Sequence, residues 1–140
     1  MSISRNIIVA VDETDPKLFK KIVDALDSDL CIVKIGSVTF NAIGQDALFY
    51  VAEKGFEIFL DLKFHDIPNT VKKSIFGLSS LPIKMLTVHI SGGLKMLESA
   101  MEAVSNSKIL VFGVTVLTSL ADKDTSEIYK RTTEDQFLKM

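Results

Sequence analysis

Residues 57–70 read Glu57-Ile58-Phe59-Leu60-Asp61-Leu62-Lys63-Phe64-His65-Asp66-Ile67-Pro68-Asn69-Thr70. The stretch begins as an apolar strand and ends with three charged groups, Asp61, Lys63 and Asp66, packed into six residues, before Pro68 and a helical pattern. Side chains alternate faces along a strand, so Phe59, Asp61 and Lys63 share one face. Asp66 falls where the chain turns into the next helix and can face either the same site or a neighbouring subunit. Charges concentrated at one end of a strand raise the question of where the other strands end.

Five short β-branched runs, residues 7–11, 31–35, 57–62, 85–89 and 109–116, alternate with stretches whose apolar residues recur every three or four positions. The helical stretches cover 16–26, 42–54, 69–78 and 94–104, and another helix begins within 126–140. Asp15-Pro16 reads as an N-cap followed by proline at the first helical position, and Gly55 closes the second helix. No repeat, low-complexity tract or linker divides the chain, so residues 1–140 are expected to form one incomplete domain. Strict strand and helix alternation predicts a parallel α/β sheet with right-handed crossovers, either an open doubly wound sheet or part of a (β/α)8 TIM barrel. Each strand ends in something polar: Asp12, then Lys34, then Asp61 with Lys63, then His89, then Thr115 and Thr118. A barrel brings all these ends to one mouth, whereas an open sheet gathers them only at its switch point. The barrel is the favoured reading, with about the first five βα units present.

Composition narrows the function. The 140 residues are 47% hydrophobic and carry a net charge of −2, which suits a globular domain. No long basic run offers a nucleic-acid surface. The apolar runs are too short to span a bilayer and no signal-peptide pattern opens the chain, so neither nucleic acid nor membrane is an expected partner. The single cysteine, Cys31, lies in an apolar run and cannot build a disulfide or a Cys-based metal site within one chain, which fits a reducing cytoplasm.

Lys34, from the adjacent strand, would bring a second ammonium to Asp61 and Lys63. In an alternating Lys-Asp-Lys-Asp chain each carboxylate offsets the desolvation of its neighbour and favours a protonated Lys63, a proton donor in a dry pocket. A buried structural ion-pair network explains the same spacing. Asp12 alone reads as a loop carboxylate, His89 and His65 as residues near a site at most, Gly92-Gly93 as either an anion cradle or a tight turn, and Thr118 as a loop threonine.

The run Asp61 to Thr70 resembles the signature of orotidine 5'-phosphate decarboxylases. Further segments agree in order: Val9-Ala10-Val11-Asp12, Val33-Lys34-Ile35-Gly36, Val88-His89-Ile90-Ser91-Gly92-Gly93 and Val114-Thr115-Val116-Leu117-Thr118-Ser119. The Asp-x-Lys-x-x-Asp core is shared with sugar-phosphate decarboxylases and synthases of the same barrel superfamily, but Ile67-Pro68-Asn69-Thr70 is more specific to the orotidylate enzymes. The resemblance implies conversion of orotidine 5'-phosphate to UMP in pyrimidine biosynthesis, with Lys63 protonating C6 as CO2 leaves and Asp61 against the departing carboxylate. It further implies that Lys34 and Asp66 complete the charged network and that Asp12 and Lys34 hold the ribose hydroxyls. Thr118 would contact the pyrimidine, and Asp66 and Thr70 would serve the partner subunit's site in a homodimer. No metal or organic cofactor is implied. A phosphate-binding arginine and a loop closing over the nucleotide are implied beyond the fifth strand. Two alternatives stand beside this reading: a magnesium-dependent sugar-phosphate decarboxylase or synthase, and a truncated, non-catalytic barrel fragment.

Overall fold

A computed structural model describes residues 7–140. Five strands, β1 (Ile7–Ala10), β2 (Cys31–Gly36), β3 (Ile58–Phe64), β4 (Ile83–His89) and β5 (Leu110–Val114), form one sheet in the order β1-β2-β3-β4-β5, every neighbouring pair parallel. Sequential order decides between the two candidate architectures. A doubly wound sheet reverses its strand order at a switch point, and this sheet has none, so the crossovers all return on the same side, as in a barrel wall. The chain builds five consecutive βα units of a (β/α)8 barrel.

The helices that cover the outer face are α1 (Pro16–Asp24), α2 (Ser37–Ile43), α3 (Gln45–Glu53), α4 (Pro68–Phe76) and α5 (Leu94–Ala103). Between them and the sheet lies the core. Val33, Ile35, Ile58, Leu60, Leu86 and Val88 from the strands meet Phe19, Val23, Leu48, Val51, Val71, Ile75 and Met96 from the helices. Cys31 is part of this core, with its thiol donating to the Asp27 carbonyl at 3.4 Å. The opposite strand face, which would line a closed barrel, is open: Ile8, Leu110 and Phe112 are 46%, 51% and 47% exposed.

Local signals account for most element ends. Asp15 caps α1, its Oδ1 accepting the Lys17 and Leu18 N–H groups at 2.7 and 2.9 Å, with Pro16 following. Gly55, at φ +84°, supplies the left-handed residue after α3. Two expectations change. The single helix expected over 42–54 is preceded by a separate helix, α2, and the two are divided at Gly44, whose φ of +75° and ψ of −154° only glycine adopts readily. The helix expected within 126–140 is two short helices, α6 (Asp122–Tyr129) and α7 (Thr133–Leu138), because Lys130 turns left-handed and Thr132 starts a new cap by accepting the Asp135 N–H. No helix among the described residues is long and apolar enough to cross a membrane.

Candidate active site

The C-terminal ends of β2 and β3 bring Lys34, Asp61 and Lys63 together. Gly36 pairs with Asp61 in the β2–β3 ladder, which places Lys34 two residues earlier on the adjoining strand. The Lys63 ammonium lies 2.9 and 3.0 Å from the two Asp61 carboxylate oxygens, and the Lys34 ammonium 3.4 Å from Oδ2. The Asp61 side chain is only 12% exposed, against 25% for Lys34 and 38% for Lys63. The carboxylate is thus the most enclosed member, and the two lysine side chains are the more exposed.

Simple alternation is not what places Lys63. The ladder between β3 and β4 runs through Leu60↔Leu86 and resumes at Phe64↔Val88. Asp61, Leu62 and Lys63 therefore stand against the single residue Thr87, a bulge that bends the strand and re-aims its side chains. Lys63 adopts φ +50° within it. A non-glycine residue held there costs about 1–3 kcal/mol and persists only where its surroundings over-determine it, a pattern that clusters at functional sites.

Burial works to raise the Asp61 carboxyl. Hydrogen bonds from Lys63 and Thr87, together with the charges of Lys63 and Lys34, outweigh it and hold the group below the ordinary carboxylate range. Because the native value is depressed, the stabilisation is complete above the unfolded value of about 4 and is lost as pH falls through the native one. Denaturant unfolding at a series of acid pH values is expected to show a shallower loss of stability in Asp61→Asn than in the wild type. Superimposable acid limbs would contradict this.

Asp12 sits beside the network, its Oδ1 about 3.3 Å from where a Cβ on Gly36 would stand, so the absence of a side chain at position 36 leaves room for it. Its loop is tied down by a residue that sequence reasoning missed. Thr39, fully buried in α2, donates through Oγ1 to the Val11 carbonyl at 2.7 Å and accepts the Glu13 N–H at 2.9 Å. Thr87 was missed as well. Both are buried polar residues inside apolar patterns, which is the one signal that could have flagged them.

The other expected site residues lie apart from this cluster. Asp66 is exposed, with its Oδ1 accepting the Ile67 N–H at 2.6 Å, and it does not extend the Lys34–Asp61–Lys63 chain as the spacing had allowed. Asp66 and Thr70 instead line a cleft of about 370 Å³ with Lys63, His65, Ser37 and Asn41. Thr118 is exposed and borders a separate cleft of about 560 Å³ between the end of β5 and helices α6 and α7. The His65 and His89 rings lie 5.2 Å apart. Burial, then the positive charges of His65 and Lys63, push the His89 imidazole below its usual value, which disfavours a proton-donating role near neutral pH. Gly93 takes φ +82°, and a Cβ on Gly92 would collide with the Met96 side chain, so a tight turn accounts for the glycine pair.

Comparisons with known proteins bear on the family and the fold. The family described as orotidine 5'-phosphate decarboxylase / HUMPS matches residues 5–140. An orotidine 5'-phosphate decarboxylase of Saccharophagus degradans is 42% identical over 120 residues, covering 84% of this chain and 50% of that protein. One from Ehrlichia canis is 45% identical over 122 residues, covering 87% of this chain and 54% of that protein. The crystal structure of orotidine 5'-phosphate decarboxylase from Lactobacillus acidophilus superposes with a TM-score of 0.84 at 33% identity, covering 97% of this chain and 65% of that one. The chain spans about half the length of the curated relatives it matches. With the family match extending over nearly every residue and the barrel topology behind it, the chain belongs to the orotidine 5'-phosphate decarboxylase / HUMPS family.

Proposed function

We propose that the protein takes part in decarboxylating orotidine 5'-phosphate to UMP, in the cytoplasm, as a homodimer whose sites are shared between subunits. The observation that carries this reading is the Lys63 ammonium, held by a strained bulge at 2.9 Å from Asp61 and flanked by Lys34. Loss of CO2 breaks the C6–carboxyl bond and leaves the electron pair on C6. A fixed ammonium at that carbon stabilises the charge as it develops and then supplies the proton, which is where preorganised electrostatics act most strongly. Asp61 holds the Lys63 ammonium in place through its two carboxylate oxygens and stands against the departing carboxylate. Asp12 and Lys34 take the ribose hydroxyls and Thr118 the pyrimidine ring. The exposure of Asp66 and Thr70, on a cleft rather than in the Asp61 cluster, favours a role for them in the partner subunit's site.

The test is the release of CO2 from orotidine 5'-phosphate by a polypeptide that carries these residues in a complete eight-unit barrel, with and without a chelator. Activity that survives chelation supports this reading over a magnesium-dependent sugar-phosphate enzyme, and activity that needs magnesium reverses the choice. Sharing of sites is checked by unfolding and refolding inactive Lys63→Ala and Asp66→Ala proteins together. Mixed dimers are expected to hold one intact site and to recover part of the activity. If recovery does not exceed that of the separately refolded variants, Asp66 acts within its own subunit.

A further inference from the structure

We propose that Thr87 is a positioning residue of this site, whose hydroxyl locks both the left-handed backbone of Lys63 and the orientation of the Asp61 carboxylate. The consequence for catalysis rests on the decarboxylase reading, while the geometry stands without it. Thr87 lies 5% exposed in β4, between Leu86 and Val88, each 1% exposed. An apolar residue would satisfy that burial, so a hydroxyl there needs a partner and a reason.

The bulge supplies both. Where three residues of β3 face Thr87 alone, the ladder does not pair the Lys63 N–H with a backbone carbonyl of β4. The Lys63 N–H instead donates to Thr87 Oγ1 at 2.9 Å, and Thr87 Oγ1 donates to Asp61 Oδ1 at 2.9 Å. The direction of this relay is fixed by chemistry. A backbone N–H only donates and an ionised carboxylate only accepts, so the hydroxyl must accept from one and give its proton to the other. Such a chain is mutually reinforcing, because the accepted bond polarises the hydroxyl that is donated. Asp61 Oδ1 then receives Thr87 on one side and the Lys63 ammonium, at 2.9 Å, on the other. One short side chain therefore joins the start and end of the bulge, holding residues 61 and 63 in the relation that the ion pair needs.

Two substitutions separate this role from packing. Thr87→Val keeps the shape and the β-branched character of the residue but removes the relay, leaving the Lys63 N–H without its acceptor and Asp61 Oδ1 with the Lys63 ammonium alone. Thr87→Ser keeps the hydroxyl and gives up the methyl group. The readouts are the titration of the Asp61 carboxyl by carbon NMR and the steady-state kinetics with orotidine 5'-phosphate, both on a polypeptide that carries the complete barrel. Thr87→Val is expected to raise the Asp61 midpoint and to lower kcat by about 10²-fold, the scale of an ångström-sized misplacement, with KM little changed. Thr87→Ser is expected to recover most of both losses. A wild-type midpoint in Thr87→Val, a raised midpoint with unchanged kcat, or failure of Thr87→Ser to recover the midpoint overturns the proposal. If Thr87→Val does not fold, Thr87→Ser decides alone: a wild-type midpoint supports the relay and a raised one overturns it. If the wild type shows no turnover, the decarboxylase reading fails, while the titration still decides whether Thr87 positions Asp61.

Discussion

If the proposed decarboxylase reading holds, Lys63→Ala in a polypeptide that carries the complete barrel is expected to lower decarboxylation by about 10⁴-fold or more while the protein remains folded and still binds UMP. Two effects disappear together. Removing a general acid costs about 10²–10⁴-fold, and removing a preorganised charge from a developing anion costs about 10²–10³-fold. Stability should change far less. The Lys63 side chain is 38% exposed and contributes no core packing, and the variant keeps a Cβ at the same positive φ. Asp61 retains Lys34 at 3.4 Å and Thr87 at 2.9 Å, so the carboxylate is not left isolated. Turnover and UMP binding, measured side by side, check this. Near-wild-type turnover would remove Lys63 as the proton donor. Loss of all nucleotide binding in a folded variant would make it a binding or structural residue instead.

The polypeptide Met1–Met140, expressed by itself, is expected to self-associate and to release little or no CO2 from orotidine 5'-phosphate, although it contains Lys34, Asp61, Lys63 and Asp66. The association follows from surfaces in the structure. Among the described residues, β1 and β5 each pair on one side only, so both edges present free backbone N–H and C=O groups. Beside those edges, Ile8, Leu110 and Phe112 are 46–51% exposed on the face that a closed barrel would fill. The loss of activity is expected on the decarboxylase reading, because the resemblance implies a phosphate-binding arginine beyond the fifth strand. Energy from a remote phosphate group is what an enzyme of this kind uses to position the reacting carbon and exclude water, so turnover falls along with affinity when the phosphate is not held. Size distribution by light scattering and a CO2-release assay on the same sample are the measurements. A soluble monomer with efficient turnover would overturn both the half-barrel account of this face and the need for a distant phosphate site.

Periodicity was enough to read the five strands, the α/β class and the parallel sheet, because side-chain alternation and the 3.6-residue helical repeat are local properties. The α1 cap at Asp15 and the closing glycine at position 55 were legible for the same reason, since each acts on backbone groups within a few residues. The cluster of Lys34, Asp61 and Lys63 was also legible, as neighbouring parallel strands end at one mouth. Tertiary structure alone decided how that cluster is held. The bulge depends on the register of β3 against β4, and register is set by which apolar residues find the core across the sheet. Thr87 lies 24 residues from the Lys63 N–H that it accepts, and Thr39 lies 26 residues from the Glu13 N–H that it accepts. No local pattern encodes hydrogen bonds of that span. The same limit explains Asp66. Spacing left it free to face the site or a neighbouring subunit, and the turn after β3 puts it on an exposed cleft that Lys63 also lines. The sequence by itself thus determined which charges reach the barrel mouth. The folded backbone determined which of them touch, because hydrogen-bond geometry depends on the positions of strands that are distant in the chain.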